Sequence, residues 1–306
     1  MCHKSCGQFA CPTQGETNRI DKRIMKHTKQ TFVRMLALGC VSLAIAGCET
    51  AGTVGQVAEK TRLTNSYAKN NIASISEVIK SNPNDANALN LRGTAYGGIG
   101  DYKRALDDFN AAIAIAPDYH QAYANRALIY VQMKQFNLAM RDYDKAIQLA
   151  PDYAVAYVGR ANLHRAMNNI PLAMADFNRA LELRPDDPIA YFNRGLLHQA
   201  LNDHQSAVND LTLALGLRPD EADPSFARGV SLLALQEFKK AYDDFQLVTR
   251  IRSNDGEAWS LRGRAAEGHG DLKEASRSYR RALQISPSNK LAREGLARVG
   301  SSGDAA

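Results

Sequence analysis

The most reactive side chains of this 306-residue chain are five thiols, Cys2, Cys6, Cys11, Cys40 and Cys48, all within the first 48 residues. Cys48 is the one placed for chemistry, because it follows an apolar run, Met35 to Ala46, that ends in the small residues Ala46 and Gly47. Small residues fit a protease cleft, and the thiolate behind them is the nucleophile available for diacylglycerol transfer. Cys2, Cys6 and Cys11 have ligand-like spacing but no second pair follows them, so no metal is expected. Two charged series recur further along. Arginines stand at Arg92, Arg126, Arg160, Arg194, Arg228 and Arg262, and aspartates at Asp108, Asp142, Asp176, Asp210 and Asp244, with Ser278 taking the sixth place. A guanidinium and a carboxylate repeating in step are suited to a structural ladder of ion pairs, since a half-buried Arg is tolerable only when paired. Pairing within one unit leaves Arg262 without its acid, and pairing to the preceding unit leaves Arg92 without one. The sequence leaves both open.

Catalytic constellations do not appear. No Walker loop, HExxH, GxSxG or dinucleotide fingerprint is present, so neither an enzyme nor a bound cofactor is expected. Gly97-Gly98-Ile99-Gly100 reads as a turn, and His164 and His198, in the column that holds Tyr96 and Tyr130, read as packing residues.

The elements that carry these columns follow a 34-residue period. Prolines stand at Pro83, Pro117, Pro151, Pro185, Pro219 and Pro287, with Ser253 interrupting the column. Small residues recur at Ala105, Ala139, Ala173, Ala207, Ala241 and Ala275, and again at Ala112, Ala146, Ala180, Ala214, Val248 and Ala282. Between them fall Phe109, Tyr143, Phe177, Leu211, Phe245 and Tyr279. Each unit opens on Leu89, Tyr123, Tyr157, Tyr191, Ser225 or Trp259, followed four positions on by Gly93, Ala127, Ala161, Gly195, Gly229 or Gly263. Two apolar stripes at helical spacing, split by a polar turn such as Gly100-Asp101 or Asn202-Asp203, predict two antiparallel helices per unit. Proline closes the second helix, and the Asp or Asn after it is expected to cap the next. A unit of this size cannot bury both faces alone, so neighbours must stack.

This pattern resembles the tetratricopeptide repeat family over about residues 65 to 299. The resemblance implies an all-α fold, a right-handed superhelical solenoid of antiparallel helix pairs. Six repeats fill 86–289. A degenerate half-repeat, 64–85, precedes them with Ile72, Ile75, Val78 and Ile79 on a helix from Asn71 to Lys80, a capping helix follows at 290–299, and 300–306 is expected to be a disordered tail. In this family the first helices line a groove through positions two, five, nine, twelve and thirteen of each unit. That mapping makes the middle of the groove apolar, with Leu128, Val131, Val155, Val158, Ile189, Phe192, Leu196, Phe226, Val230 and Leu233, and its ends polar, with Asn87, Asn90, Thr94, Glu257, Arg264 and Glu267. Contiguous apolar surface marks a docking site for a peptide or helix. The same side chains become core if the superhelical curvature is tight or if the leading segment folds inward over them. The carboxylate clamp of some members does not map here, since its places hold Asn90, Thr94, Asn125, Val155 and Gly159.

The front of the chain reads as an export signal. Lys26, Lys29 and Arg34 precede an apolar run of about twelve residues, too short for a span of roughly twenty. Residues 1–47 form this signal region, with Met25 the expected initiator, and 48–63 a lipidated cysteine and flexible tether. Ile45-Ala46-Gly47-Cys48 resembles the bacterial lipoprotein signal, which implies lipid attachment at Cys48 and a place in the cell envelope. Glu49, rather than Asp, after the cysteine points toward the periplasmic face of the outer membrane. Most of the formal charge of +6 belongs to this region, which holds seven Lys or Arg against Glu16 and Asp21. The near-neutral remainder lacks the footprint of a nucleic-acid binder. The expected partners are protein or peptide clients and, through the anchor, a membrane. Tetratricopeptide lipoproteins that gather cell-wall enzymes, or that assist secretin and pilus assembly, are similar in anchor and repeats. Self-association through the groove as a homodimer is the alternative.

Overall fold

The computed structural model describes residues 70 to 303, so the signal region, Cys48 and the tether lie outside the described residues, as do the last three positions. The chain divides into two compact units, one ending at Pro117 and one beginning at Asp118. In the first, α1 is helical over 70–81, followed by α2 (Ala86–Gly98) and α3 (Tyr102–Ile115). The second holds α4 (His120–Gln132), α5 (Phe136–Leu149), α6 (Ala154–Ala166), α7 (Ile170–Leu183), α8 (Pro188–Ala200) and α9 (His204–Leu217). It continues with α10 (Ala222–Ala234), α11 (Phe238–Ile251), α12 (Gly256–Gly268), α13 (Leu272–Ile285) and α14 (Lys290–Gly303). None of these described helices is long and apolar enough to cross a membrane. In the second unit each first helix of a pair packs on its own second helix, those after α4 also pack on the second helix before them, and successive first helices touch. The first-helix side is therefore the inner face.

Each turn within a pair follows from one backbone conformation. Gly100 and Gly270 have φ of 80° and 93°, and in the same register Lys134, Asn168, Asn202 and Gln236 have φ of 59° to 62°. At the second repeat the Gln135 N–H donates to the Tyr130 carbonyl at 2.8 Å and the Lys134 N–H to the Val131 carbonyl at 2.9 Å. That paired bonding closes a helix by satisfying its last carbonyls, and it requires the left-handed residue in between. Glycine takes this conformation freely, Asn tolerates it, and Lys or Gln are strained in it.

The caps between pairs sit one residue later than the sequence suggests. The residue after each proline belongs to the turn, and the next one caps: Asp85, Asp187 and Asp255 accept from helix N–H groups, as Asn289 does from Ala292. Tyr119, Tyr153 and Glu221 hold the same place without a side-chain cap bond. Capping needs an extended backbone just before the first helical residue, and the turn opened by the proline delays that by one position.

The small columns are where helices cross. Ala105, Ala139, Ala173, Ala207, Ala241 and Ala275 are fully buried. A Cβ on Gly195 would stand 2.9 Å from Leu211, on Gly229 2.9 Å from Phe245, and on Gly263 2.7 Å from Tyr279. Where the large residue is tyrosine, the ring also reaches a glycine on the next first helix. A Cβ on Gly159 would collide with the Tyr143 ring, and one on Gly295 with the Tyr279 ring.

Helix α14 covers the end of the stack and runs four residues beyond Val299, into the stretch assigned from sequence to the tail. Arg298 grips Glu267 of α12 through two bonds of 2.7 and 2.9 Å, and the Tyr279 hydroxyl donates to the same carboxylate at 2.6 Å. Arg298, then the Tyr279 hydroxyl, hold the Glu267 carboxyl below its ordinary value, against the opposing cost of burial. A lowered folded pKa means that this clamp stabilises fully above the ordinary carboxyl value of 4.5 and is lost as pH falls through the lowered one. Amide exchange in α14 should therefore accelerate in acid before the rest of the second unit, and Arg298→Ala should bring the same acceleration at neutral pH. Unchanged α14 exchange in that variant would show that the clamp does not hold the helix. At the turns, Lys134→Gly and Gln236→Gly should each raise stability by roughly 0.5 to 1 kcal/mol, and Asn168→Gly by less, measured by thermal unfolding. A fall in midpoint for either of the first two would contradict the strain assigned to them.

Candidate functional site

The charged ladder lies in the seam between the two helices of each pair. Arg92, Arg126, Arg160, Arg194 and Arg228 each direct Nε and Nη2 at the two oxygens of the aspartate sixteen residues on, at 2.7 to 2.9 Å. Pairing is thus within the repeat. The remaining Nη1 reaches the preceding second helix: Arg92 to Ser76 at 3.2 Å, Arg160 to Asp144 at 2.7 Å, Arg194 to Asn178 at 2.8 Å and Arg228 to Thr212 at 3.2 Å. In most repeats the guanidinium also lies near an aromatic ring at the fourth position, 5.5 Å from Tyr123, 5.7 Å from Tyr157 and from Tyr191, and 4.9 Å from Trp259. The bond to aspartate is the largest influence on these five guanidinium groups and holds them above their ordinary range, against the opposing cost of burial. They stay cationic throughout the folded range.

The last repeat solves its missing aspartate differently. Ser278 stands where the acid should be, and Glu274, one turn earlier on α13, is buried and reaches Arg262 at 2.8 Å. Its extra methylene spans the added distance, but only one bond forms, and the Arg262 Nε has no hydrogen-bond partner among the described residues. Arg262 recovers contacts from the Tyr242 hydroxyl at 3.0 Å and Thr249 at 3.2 Å. The sequence reading missed Glu274; an acid four residues before the vacated column, on the same helical face, was the available signal.

On the inner face, Leu128 of α4, Val155 of α6 and Ile189 of α8 are 50%, 43% and 49% exposed. Val131, Phe192, Phe226 and Val230 are half-buried. Val158, Leu196 and Leu233 are buried and belong to the core, not to an open groove. Val158 packs with Ala161 and Phe177, and Leu233 with Phe245 and Leu232, because the first helices approach closely enough to cover those positions. Phe226 also turns inward, edge-on to Phe245 with ring centres 5.8 Å apart. At position twelve, Arg165 donates to the Asn193 backbone and side-chain oxygens at 3.3 and 3.4 Å, and Gln199 to the Ala227 carbonyl at 2.6 Å. These polar side chains bridge neighbouring first helices. Burial pushes the Arg165 guanidinium down to about 10. Arg165 was passed over in the sequence mapping although its position in the period pointed to this face.

His164 and His198 stand beside the ladder, with Nε2 3.9 Å from Asp176 and 3.8 Å from Asp210. Burial is the main influence on the His164 imidazole and lowers its pKa. Among the described residues no group of three His, Cys, Asp or Glu side chains is arranged to hold a metal ion.

Family profiles described as tetratricopeptide repeat match residues 86–119, 120–153, 160–230 and 256–289. No curated protein matches the chain. Among solved structures, Pseudomonas aeruginosa PilF is similar at 18% identity, covering 70% of this chain and 97% of that one, with a TM-score of 0.63. YrrB, described as a TPR protein with an unusual peptide-binding site, is similar at 22% identity over 61% of this chain and 96% of its own, with a TM-score of 0.55. The Cut9–Hcn1 assembly of the APC/C matches at 19% identity and a TM-score of 0.62 over 76% of this chain, which spans only 46% of that longer one. At such identities the likeness is one of fold.

The ladder makes a stability prediction. Arg194→Met leaves the 6%-exposed Asp210 side chain charged and uncompensated, and should cost about 2–4 kcal/mol. The double variant Arg194→Met/Asp210→Leu should recover most of that loss in urea titrations. A double variant no more stable than the single one would show that the pair itself, rather than the stranded carboxylate, carries the effect.

Proposed function

The chain belongs to the tetratricopeptide repeat family, and we propose that it is a membrane-tethered adaptor which holds protein clients on the inner face of its repeats. The family is one of protein-binding repeat scaffolds, typically non-enzymatic. The observation that carries the proposal is the exposure of Leu128, Val155 and Ile189 on three successive first helices of one face. Water-exposed aliphatic side chains in a row favour a partner that covers them. Aliphatic contacts flanked by the amides of Asn193 and Gln199 suit an extended or helical segment with apolar residues at regular spacing.

The tether is the lipid expected on Cys48, and the place is the periplasmic side of the bacterial envelope, at the outer membrane on the strength of Glu49. Fold likeness to PilF, and to PilW, described as a type IV pilus biogenesis factor at 20% identity and a TM-score of 0.60, supports clients from secretion or pilus assembly. Cell-wall enzymes are the other client class that suits an envelope scaffold. Two signals, more than one acyl chain among them, are what stable anchoring requires.

Affinity capture from native envelopes tests the face, and fractionation tests the tether. Leu128→Asp/Ile189→Asp should lose the client while shifting stability by no more than about 0.5 kcal/mol each, as expected for exposed sites. Phe226→Asp is a poorer probe because its ring packs on Phe245. Cys48→Ser should release the protein from membranes and leave client binding in solution unchanged. Capture of the same partners by the double Asp variant would place binding elsewhere. A stable dimer that the double variant dissociates, with no client captured, would instead support self-association through this face.

A further inference from the structure

The last second helix, α13, is built differently from those before it. Its exposed charged residues, Lys273, Arg277 and Arg280, are all basic, as is the half-buried Arg281, and its single acid, Glu274, is buried with both oxygens engaged by Arg262 and Arg277. Lys273, Arg277, Arg280 and Arg281 fall at i, i+4, i+7 and i+8, so they form one stripe, about 12 Å long at 1.5 Å per residue. No other repeat has four basic residues at these places. The equivalents in the fourth repeat, for example, are Gln205, Asn209, Thr212 and Leu213.

The ladder explains why the stripe is free to exist. Asp144, Asn178 and Thr212 occupy the place of Arg280 in earlier repeats, and each accepts a bond from the arginine of the following repeat. The helix after α13 is α14, which has Leu296 where that arginine would stand. The position is released from its acceptor role and carries a cation instead. Arg280 and Lys273 make no ion pair or hydrogen bond among the described residues, and Arg281 bonds only to the neutral Gln284 at 3.3 Å. The surrounding sequence has the same bias. Residues 238–303 hold thirteen Lys or Arg against eight Asp or Glu, whereas 118–237 hold eleven against fourteen, so the positive potential is local to this end.

We propose that the outer face of α13 is a docking surface for an anionic lipid bilayer, through Lys273, Arg280 and Arg281. A row of unpaired cations on an exposed helix complements lipid phosphates and weakens with salt over a Debye length of about 10 Å at 0.1 M. A nucleic acid fits less well, because the only aromatic ring on α13, Tyr279, is fully buried and offers no face for stacking. This contact rests on α13 alone and does not depend on a lipid at Cys48.

Vesicle sedimentation of the full chain tests it, comparing neutral phosphatidylcholine vesicles with vesicles that contain phosphatidylglycerol. Lys273→Gln/Arg280→Gln/Arg281→Gln shares the basic leader with the wild type, so the difference between the two isolates α13. The triple variant should bind the anionic vesicles at least about tenfold less, with equal binding to neutral ones and an unchanged thermal midpoint. Lys103→Gln/Arg141→Gln/Lys145→Gln, which likewise removes two exposed cations and one half-buried one, should bind like the wild type. Equal anionic binding by the α13 variant and the wild type would overturn the proposal. So would a single-stranded oligonucleotide that displaces the wild type, but not the α13 variant, from the vesicles.

Discussion

In the repeats of Arg92, Arg160, Arg194 and Arg228 one arginine side chain holds three helices together. Its Nε and Nη2 are fixed by an aspartate on the partner helix, and its Nη1 is fixed by a polar residue on the second helix before. Two parallel bonds to a planar carboxylate tolerate little rotation of either helix, so the pair sets the phase in which the helices meet. The column one residue later obeys the same sixteen-residue offset, with Gly195 opposite Leu211 and Gly229 opposite Phe245. Ionic register and steric register therefore coincide. A helix turned enough to relieve the crowding would break the ion pair, and a helix shifted to improve the ion pair would collide at the crossing.

That seam also commits most of the buried charge. Each of the five ladder aspartates is buried and accepts two N–H bonds from a single guanidinium. The histidines beside them are enclosed by the same packing. With the charged groups committed to the seam, the surfaces on either side are free to vary, and they vary in different ways. The inner face keeps aliphatic residues exposed at Leu128, Val155 and Ile189, while the terminal second helix accumulates cations where the ladder no longer demands an acceptor.

Among the described residues, the non-glycine residues with positive φ all lie where a repeat turns between its two helices. Lys134 and Gln236 adopt a left-handed backbone because the bonds that close each first helix demand it at that position, whichever residue the sequence supplies. Tyr143 and Tyr279 each occupy the space of a Cβ on the next first helix and are answered by Gly159 and Gly295, whereas the place sixteen residues after Phe177 holds Asn193. Such pairs show the stack being adjusted interface by interface within a constant period.

The sequence by itself determined the period, the two helices of each unit, the small residues at their crossings and the two charged columns, because these depend on spacing along a helix and helical phase is a local property. Tertiary structure decided the rest. The direction of arginine pairing, the replacement of the sixth aspartate by Glu274, and the burial of Val158, Leu196 and Leu233 beside the exposure of Leu128, Val155 and Ile189 all turn on how closely neighbouring helices approach. Spacing along the chain says which side chains share a face. Only the distance between helices says whether that face is covered.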